Sequence, residues 1–309
     1  DTMIYLYIIL SFTGNSLMPD HRQRLAQLFS GDKLVKAPGV YDGLSALLVE
    51  QAGFDCAFLS GGSLAFSRFG RPDMGLVCAN EVAETVAILR DRVELPLIVD
   101  MDTGFGNALN VQRTVRELER AGASALQMED QVLPKRCGHM AGKSVVPKQE
   151  MVGKICAALD AREHSDTAII ARTDALGVNG FEDAMDRAAA YLEAGADALF
   201  IEAPKSLEQM QAIVDAFGAR APLVHNLVEG GGSPVSEFST LQALGYRVAL
   251  YPVALLHGFV PVAQRVLAEI QSKGSTEDLR AQMLELKDMN NLLGADRLLA
   301  AGKQYGSEE

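Results

Sequence analysis

Short apolar runs alternate with longer helix-period segments along most of the chain. The runs are Leu34–Tyr41, Cys56–Ser60, Leu95–Asp102, Ala123–Glu129, Thr167–Asp174, Ala198–Glu202, Pro222–Val228 and Arg247–Pro252. Their length and continuous apolar character suit strands buried on both faces. Between them lie helical patterns such as Leu109–Ala121 and Phe181–Ala194, the second and several others closing on glycine. The joint recurs as Ala52-Gly53-Phe54, Ala121-Gly122-Ala123 and Ala194-Gly195-Ala196. A repeated helix–Gly–strand joint predicts serial βα units on a parallel sheet. Eight such units in roughly 250 residues predict a (β/α)8 TIM-type barrel, with further helices at the C-terminus. A doubly wound open sheet would more often carry a Gly-rich fingerprint after its first strand, and none is present.

The first seventeen residues stand outside this pattern. Ile4 to Phe12 is an apolar run too short to span a bilayer, led by Asp1 with no preceding cation. The expectation is a leader over residues 1–17 that is non-native or disordered, with Met18 near the natural start. A docking strand or a targeting segment is the alternative. Residues 18–309 are then one barrel domain with a helical C-terminal extension.

Composition narrows the function classes. A 309-residue chain that is 48% hydrophobic can bury a barrel-sized core. Its formal charge of −12 argues against a nucleic-acid partner, which needs a basic face. No stretch reads as a membrane span. Cys56, Cys78, Cys137 and Cys156 have neither zinc-site spacing nor disulfide-scaffold density, so a reduced, cytoplasmic setting is expected.

Polar residues collect where the runs end: Asp100 and Asp102, Glu129, Arg172 and Asp174, Glu202, then His225 and Asn226 before Glu229. In a barrel these ends converge on the face where active sites are built. Gly104, Gly106 and the Gly61-Gly62 pair in neighbouring loops would let backbone N–H groups approach a carboxylate. Asp100 and Asp102, two apart in a strand, would share a face, and their repulsion calls for a cation. Oxygen ligands with room for water suit Mg²⁺, or Mn²⁺ as a near equivalent. The alternative is that one Asp caps the next helix while the other pairs with Arg172.

The densest chemistry is Glu129-Asp130-Gln131-Val132-Leu133-Pro134-Lys135-Arg136-Cys137-Gly138-His139. Lys135, Arg136 and His139 around Cys137 would favour its thiolate and attract an anionic substrate. A solvated charged turn with a bystander cysteine is the bland counterpart.

These motifs together resemble the isocitrate lyase and phosphoenolpyruvate mutase superfamily, from about Arg22 to the C-terminal helices. The carriers are Ser60-Gly61-Gly62, Gly70-Arg71-Pro72-Asp73-Met74-Gly75, Val99 to Gly106, and Glu129-Asp130-Gln131. Lys135 to His139, Ala171 to Ala175, Glu202-Ala203-Pro204 and Asn226 to Gly231 follow in order. The resemblance implies a barrel whose last helix is exchanged between subunits, in a homotetramer built as a dimer of dimers. It implies Mg²⁺ at Asp100 and Asp102, with Asp73 and Glu129 in the outer shell. Ser60, Gly61, Gly62 and Arg172 would bind the α-keto half of a small dicarboxylate. Gly138, His139 and Asn226 would take its second carboxylate, with Glu202 supporting Arg172. Cys137, on a gating loop, would protonate the departing enolate.

Within the superfamily, the Cys-Gly-His pattern resembles the carbon–carbon lyase branch. Phe58 stands where methylisocitrate lyases typically have tyrosine, and His257 where they have a carboxylate-binding arginine. Asn110 to Arg113, Gly142-Lys143 and Asn226 to Gly231 look more like 2-alkylmalate lyases and oxaloacetate hydrolases. Pro252 departs from the serine usual in oxaloacetate hydrolases. The resemblance therefore implies cleavage of a 2-alkylmalate-like 2-hydroxy diacid to pyruvate or another α-keto acid. Oxaloacetate hydrolysis or decarboxylation and methylisocitrate cleavage are alternatives. A non-catalytic dicarboxylate-binding barrel would show broken site residues, which this chain does not.

Overall fold

The computed structural model describes residues 20–138 and 140–306. The leader expected at residues 1–17 and the candidate His139 lie outside them. The chain divides into two compact units, Asp1–His257 and Gly258–Glu309.

The first unit is a closed barrel of eight parallel strands in sequence order: β1 (Val35–Val40), β2 (Ala57–Leu59), β3 (Leu97–Asp100), β4 (Ala125–Glu129), β5 (Ala168–Thr173), β6 (Ala198–Ile201), β7 (Leu223–Asn226) and β8 (Val248–Tyr251). Every strand falls inside an apolar run read from the sequence. β1 and β8 pair in parallel to close the ring. Helices follow the strands, including Ala108–Ala121 and Phe181–Glu193. The joints work as their sequence implied: Gly122 sits at φ 112°, where its N–H caps the helix by bonding Glu119 and Leu118 carbonyls.

Side-chain alternation divides the buried residues into two layers. Leu59, Val99, Leu126, Ile169 and Leu199 pack outward in the larger cluster with the surrounding helices. Phe58, Ile98, Ala125, Ile170, Phe200 and Val224 belong to a second cluster inside the barrel. Leu25 and Phe29 of the helix His21–Ser30 join that inner cluster and close the end from which the strands start. The helix is started by Asp20, whose side chain accepts from Arg22 N and Gln23 N.

The inward rows extend to the other end of the barrel. Two residues beyond Phe58, Ile98, Ile170, Phe200 and Val224 come Ser60, Asp100, Arg172, Glu202 and Asn226, and four beyond Ala125 comes Glu129. The period of two thus delivers six polar side chains to one mouth.

The second unit continues the helix Ala254–Lys273 and adds a 3-10 segment, Glu277–Gln282, and two helices, Leu286–Leu293 and Ala295–Gln304. Its helices expose Leu267, Leu286, Leu298 and Leu299, each more than half accessible. Among the described residues, no helix is long and apolar enough to cross a membrane.

Candidate active site

At the mouth, Ser60 N-caps the helix Gly61–Phe69 by accepting from Gly62 N at 3.1 Å. The next amide, Gly61 N, donates to Asp100 Oδ2 at 3.1 Å, and Asp102 N donates to Asp100 Oδ1 at 3.1 Å. Asp100 and Asp102 do not share a strand face as the sequence suggested. β3 ends at Asp100, and Asp102 occupies left-handed backbone at φ 48°. The turn, pinned by Glu129 N donating to Asp102 O at 2.8 Å, brings the second carboxylate to the first. Gly104 and Gly106 sit where a side chain would not fit. A Cβ on Gly104 would meet Val111 Cγ2 at 2.3 Å, and one on Gly106 would meet Asn110 Oδ1 at 2.3 Å. These glycines let the turn pack on the helix Ala108–Ala121.

Lys135 has contacts that the sequence does not announce. Its ammonium lies 2.7 Å from Asp73 Oδ1 and 2.8 Å from Asp102 Oδ1, with the side chain only 4% exposed. Burial alone would discharge it, but Asp102, Glu129, Asp100 and Asp73 hold its pKa well above the usual lysine range. Nothing short of long-range contact reveals this; a lysine two residues before the cysteine was the available signal.

Arg172 is the second buried cation. Its Nε lies 3.2 Å from Glu129 Oε2 and 2.9 Å from Asp174 Oδ2, and Nη2 lies 3.1 Å from Glu202 Oε2. It pairs with neither Asp100 nor Asp102 in these contacts. Asn226 Nδ2 donates to the same Glu202 oxygen at 3.1 Å. Burial would raise the Asp174 carboxyl, but Arg172 and Lys143 outweigh it and bring the pKa down to about 2. Behind Asp174, its backbone N–H donates to Asp130 Oδ1 at 2.9 Å. Asp130 in turn accepts from Thr173, Tyr191 and Arg187.

These groups line a cavity of ≈ 280 Å³. Ser60, Gly62, Asp73, Asp100, Glu129, Cys137, Gly138, Arg172, Glu202 and Asn226 all contribute to its wall. Gly61 and Asp102 stand directly behind that wall: a Cβ on Gly61 would lie 2.9 Å from Asp102 Oδ1. Cys137 is half-buried, and its N–H donates to Asp73 O at 3.1 Å. Phe58, Phe66, Val228, Pro252 and Val253 make the opposite wall apolar. His257 lies at the rim with Nδ1 3.6 Å from Glu229 Oε2.

Charge at the mouth is unevenly satisfied. Asp102 Oδ1 faces the Lys135 ammonium at 2.8 Å, whereas Glu129 Oε1 has no hydrogen-bond partner among the described residues. Burial, with Asp100 adding to it and Lys135 opposing, pushes the Asp102 carboxyl up to about 7. Burial likewise holds Glu129 well above the carboxylate range, against the pull of Arg172. A buried carboxylate oxygen without a donor, in a cluster richer in carboxylates than in cations, fits a hard divalent cation. Among the described residues, no three His, Cys, Asp or Glu side chains already form a compact ligand set.

Residues 25–271 match the phosphoenolpyruvate phosphomutase family model. The chain is 38% identical to 2,3-dimethylmalate lyase of Eubacterium barkeri, over 92% of this chain and 98% of the relative. It is 43% identical to 2-methylisocitrate lyase of Aeropyrum pernix, over 87% and 86% respectively. Among solved structures, an oxaloacetate acetylhydrolase with 3,3-difluorooxalacetate superposes at TM-score 0.87 and 32% identity, covering 94% of this chain and 98% of that one. A phosphonopyruvate hydrolase complex with oxalate and Mg²⁺ superposes at TM-score 0.84 and 32% identity, covering 93% and 99%.

Proposed function

The chain belongs to the phosphoenolpyruvate mutase and isocitrate lyase superfamily and is a carbon–carbon lyase, and we propose that its substrate is a 2-alkylmalate or related 2-hydroxy diacid. The products are pyruvate, or another α-keto acid, and a monocarboxylate. One observation carries this reading: Cys137, the carboxylate cluster and Arg172 share a single cavity whose far wall is apolar. The polar side suits two carboxylates and a hydroxyl, and the apolar side suits an alkyl substituent.

Ser60, Gly61 and Gly62, with Arg172, form the end of the site that takes the half that becomes the α-keto acid. Gly138, His139 and Asn226 hold the other carboxylate, and Glu202 orients both Arg172 and Asn226. Asp100 and Asp102, with Asp73 and Glu129 in the outer shell, would hold Mg²⁺ (or Mn²⁺), which when bound would supply Lewis acidity toward a 2-hydroxy acid. Glu129, whose Oε1 has no donor among the described residues, takes the hydroxyl proton. The C2–C3 bond then breaks, the hydroxyl carbon becoming the ketone and the electron pair passing to the departing carboxylate as an enediolate. Lys135 and Arg172 oppose the negative charge of these groups. The Cys137 thiol delivers a proton to the carbon, completing the monocarboxylate.

Methylisocitrate is the second reading, favoured by the 43% identical relative. At the rim, however, His257 carries no permanent charge where the resemblance expects an arginine, and the neighbouring Glu229 would repel a third carboxylate. Oxaloacetate hydrolysis or decarboxylation uses the same site but leaves the apolar wall without an alkyl group to contact. We place the enzyme in the cytoplasm as a homotetramer, a dimer of dimers with the last barrel helix exchanged. The exposed leucines of the C-terminal helices support that assembly.

The test is a panel of 2-alkylmalates, methylisocitrate and oxaloacetate with Mg²⁺, assayed for keto-acid and oxalate release. The highest kcat/KM should belong to a 2-alkylmalate. A higher value for methylisocitrate than for every 2-alkylmalate, or oxalate as the main product, would refute the assignment.

A further inference from the structure

We propose that Lys143 is a positioning residue that latches the Cys137 loop onto the Arg172 end of β5. The loop leaves β4 and returns before the helix Lys148–Ala161. Its neck is closed by backbone: Val132 N donates to Ser144 O, and Val146 N to Asp130 O, both at 2.8 Å. Those bonds fix where the loop starts and ends, and Cys137 N–H donating to Asp73 O at 3.1 Å holds one side of its tip, leaving the Gly138 side to be secured.

Lys143 joins the tip to the barrel. Its ammonium donates to Gly138 O, the residue after Cys137, and to Asp174 Oδ1 at 2.7 Å. The side chain is only 6% exposed, so the cation is withdrawn from water for these partners. Asp174 accepts Arg172 Nε at 2.9 Å and Nη2 at 3.1 Å, the latter on the same Oδ1 that takes Lys143. One carboxylate therefore joins the loop cation to the cation that faces the cavity. The anchor is itself fixed, because Asp130 holds the Asp174 amide and is braced by Thr173, Tyr191 and Arg187.

The fit at the tip is close. A Cβ on Gly138 would lie 2.4 Å from Arg172 Nη2 and 2.8 Å from Glu202 Cδ, so only glycine allows the tip to sit directly on this pair. With its tip on Arg172, the loop places Cys137 against the cavity. Lys143 holds it there without lining the cavity itself. The catalytic part of this inference rests on Cys137 being the acid; the latch does not.

Hydrogen exchange resolved by mass spectrometry over residues 131–145, on the full-length enzyme, tests the latch directly. Lys143→Met should speed exchange of the Cys137 and Met140 amides by about tenfold while the barrel strands keep wild-type rates. On the best substrate of the panel, kcat should fall by roughly 10- to 100-fold with KM within about threefold, as for a misplaced group. Lys143→Arg, which keeps the charge, should recover part of both effects. Gly138→Ala gives the second arm: it should open the loop with the lysine intact and the barrel exchange unchanged. Loop exchange within about twofold of wild type in both Lys143→Met and Gly138→Ala overturns the latch. Faster exchange with unchanged kcat overturns the positioning role. If no panel substrate is cleaved by wild type, the proposed reaction fails, and the exchange arm still decides the latch.

Discussion

Glu119 and Glu129 are ten residues apart, and both are buried, at 1% and 2% exposure. They sit at opposite ends of the barrel and are treated differently. Glu119, at the end of the helix Ala108–Ala121, accepts from Glu163 N at 2.6 Å, His164 N at 2.9 Å and Thr167 Oγ1 at 2.6 Å. Both its oxygens are used, and they tie one βα joint to the next. Glu129, at the end of β4, faces Arg172 with one oxygen and leaves the other without a donor among the described residues. The first glutamate is completed by the fold. The second is left incomplete among like charges, an arrangement that destabilises the chain unless a ligand completes it.

The largest expected effect removes the incomplete end outright. Asp102→Ala should lower kcat/KM by about 10³-fold or more, with Mg²⁺ binding lost by calorimetry while the far end stays folded. Undiminished turnover in excess EDTA would remove the metal from the account. Next, Glu129→Gln should lower kcat by about 10²-fold yet leave Tm unchanged or raised, since a buried charge disappears. Glu119→Gln should do the reverse, costing about 1–3 kcal/mol of stability with kcat within about twofold. If both substitutions changed Tm and kcat alike, the contrast between the two ends would not stand.

Much of this was legible in the sequence because it follows from local periodicity. Continuous apolar runs, glycine-ended helices and charged run ends placed every strand and pointed to the mouth where Ser60, Asp100, Glu129, Arg172, Glu202 and Asn226 meet. What stayed hidden depends on contacts distant in sequence or on backbone outside the regular periods. Asp102 reaches Asp100 through a left-handed turn, which a strand pattern read through Leu95–Asp102 does not show. Lys135 meets Asp73, far from it in the sequence, and Asp130 gathers Thr173, Arg187 and Tyr191, none of which a local motif announces. Glu119 looks like any acidic residue late in a helix until the fold brings Glu163, His164 and Thr167 to it.

The most direct test of the central claim is steady-state kinetics of Cys137→Ser on the best 2-hydroxy diacid. A serine hydroxyl nearly matches the thiol in size and hydrogen bonding but is far too weak an acid at neutral pH. Because other groups hold the carboxylates, kcat should fall by roughly 10²–10³-fold while KM stays within about threefold. The far end of the barrel, and with it Tm, should be untouched. A Cys137→Ser enzyme with near-normal kcat would contradict the account and return Cys137 to a packing role in its loop.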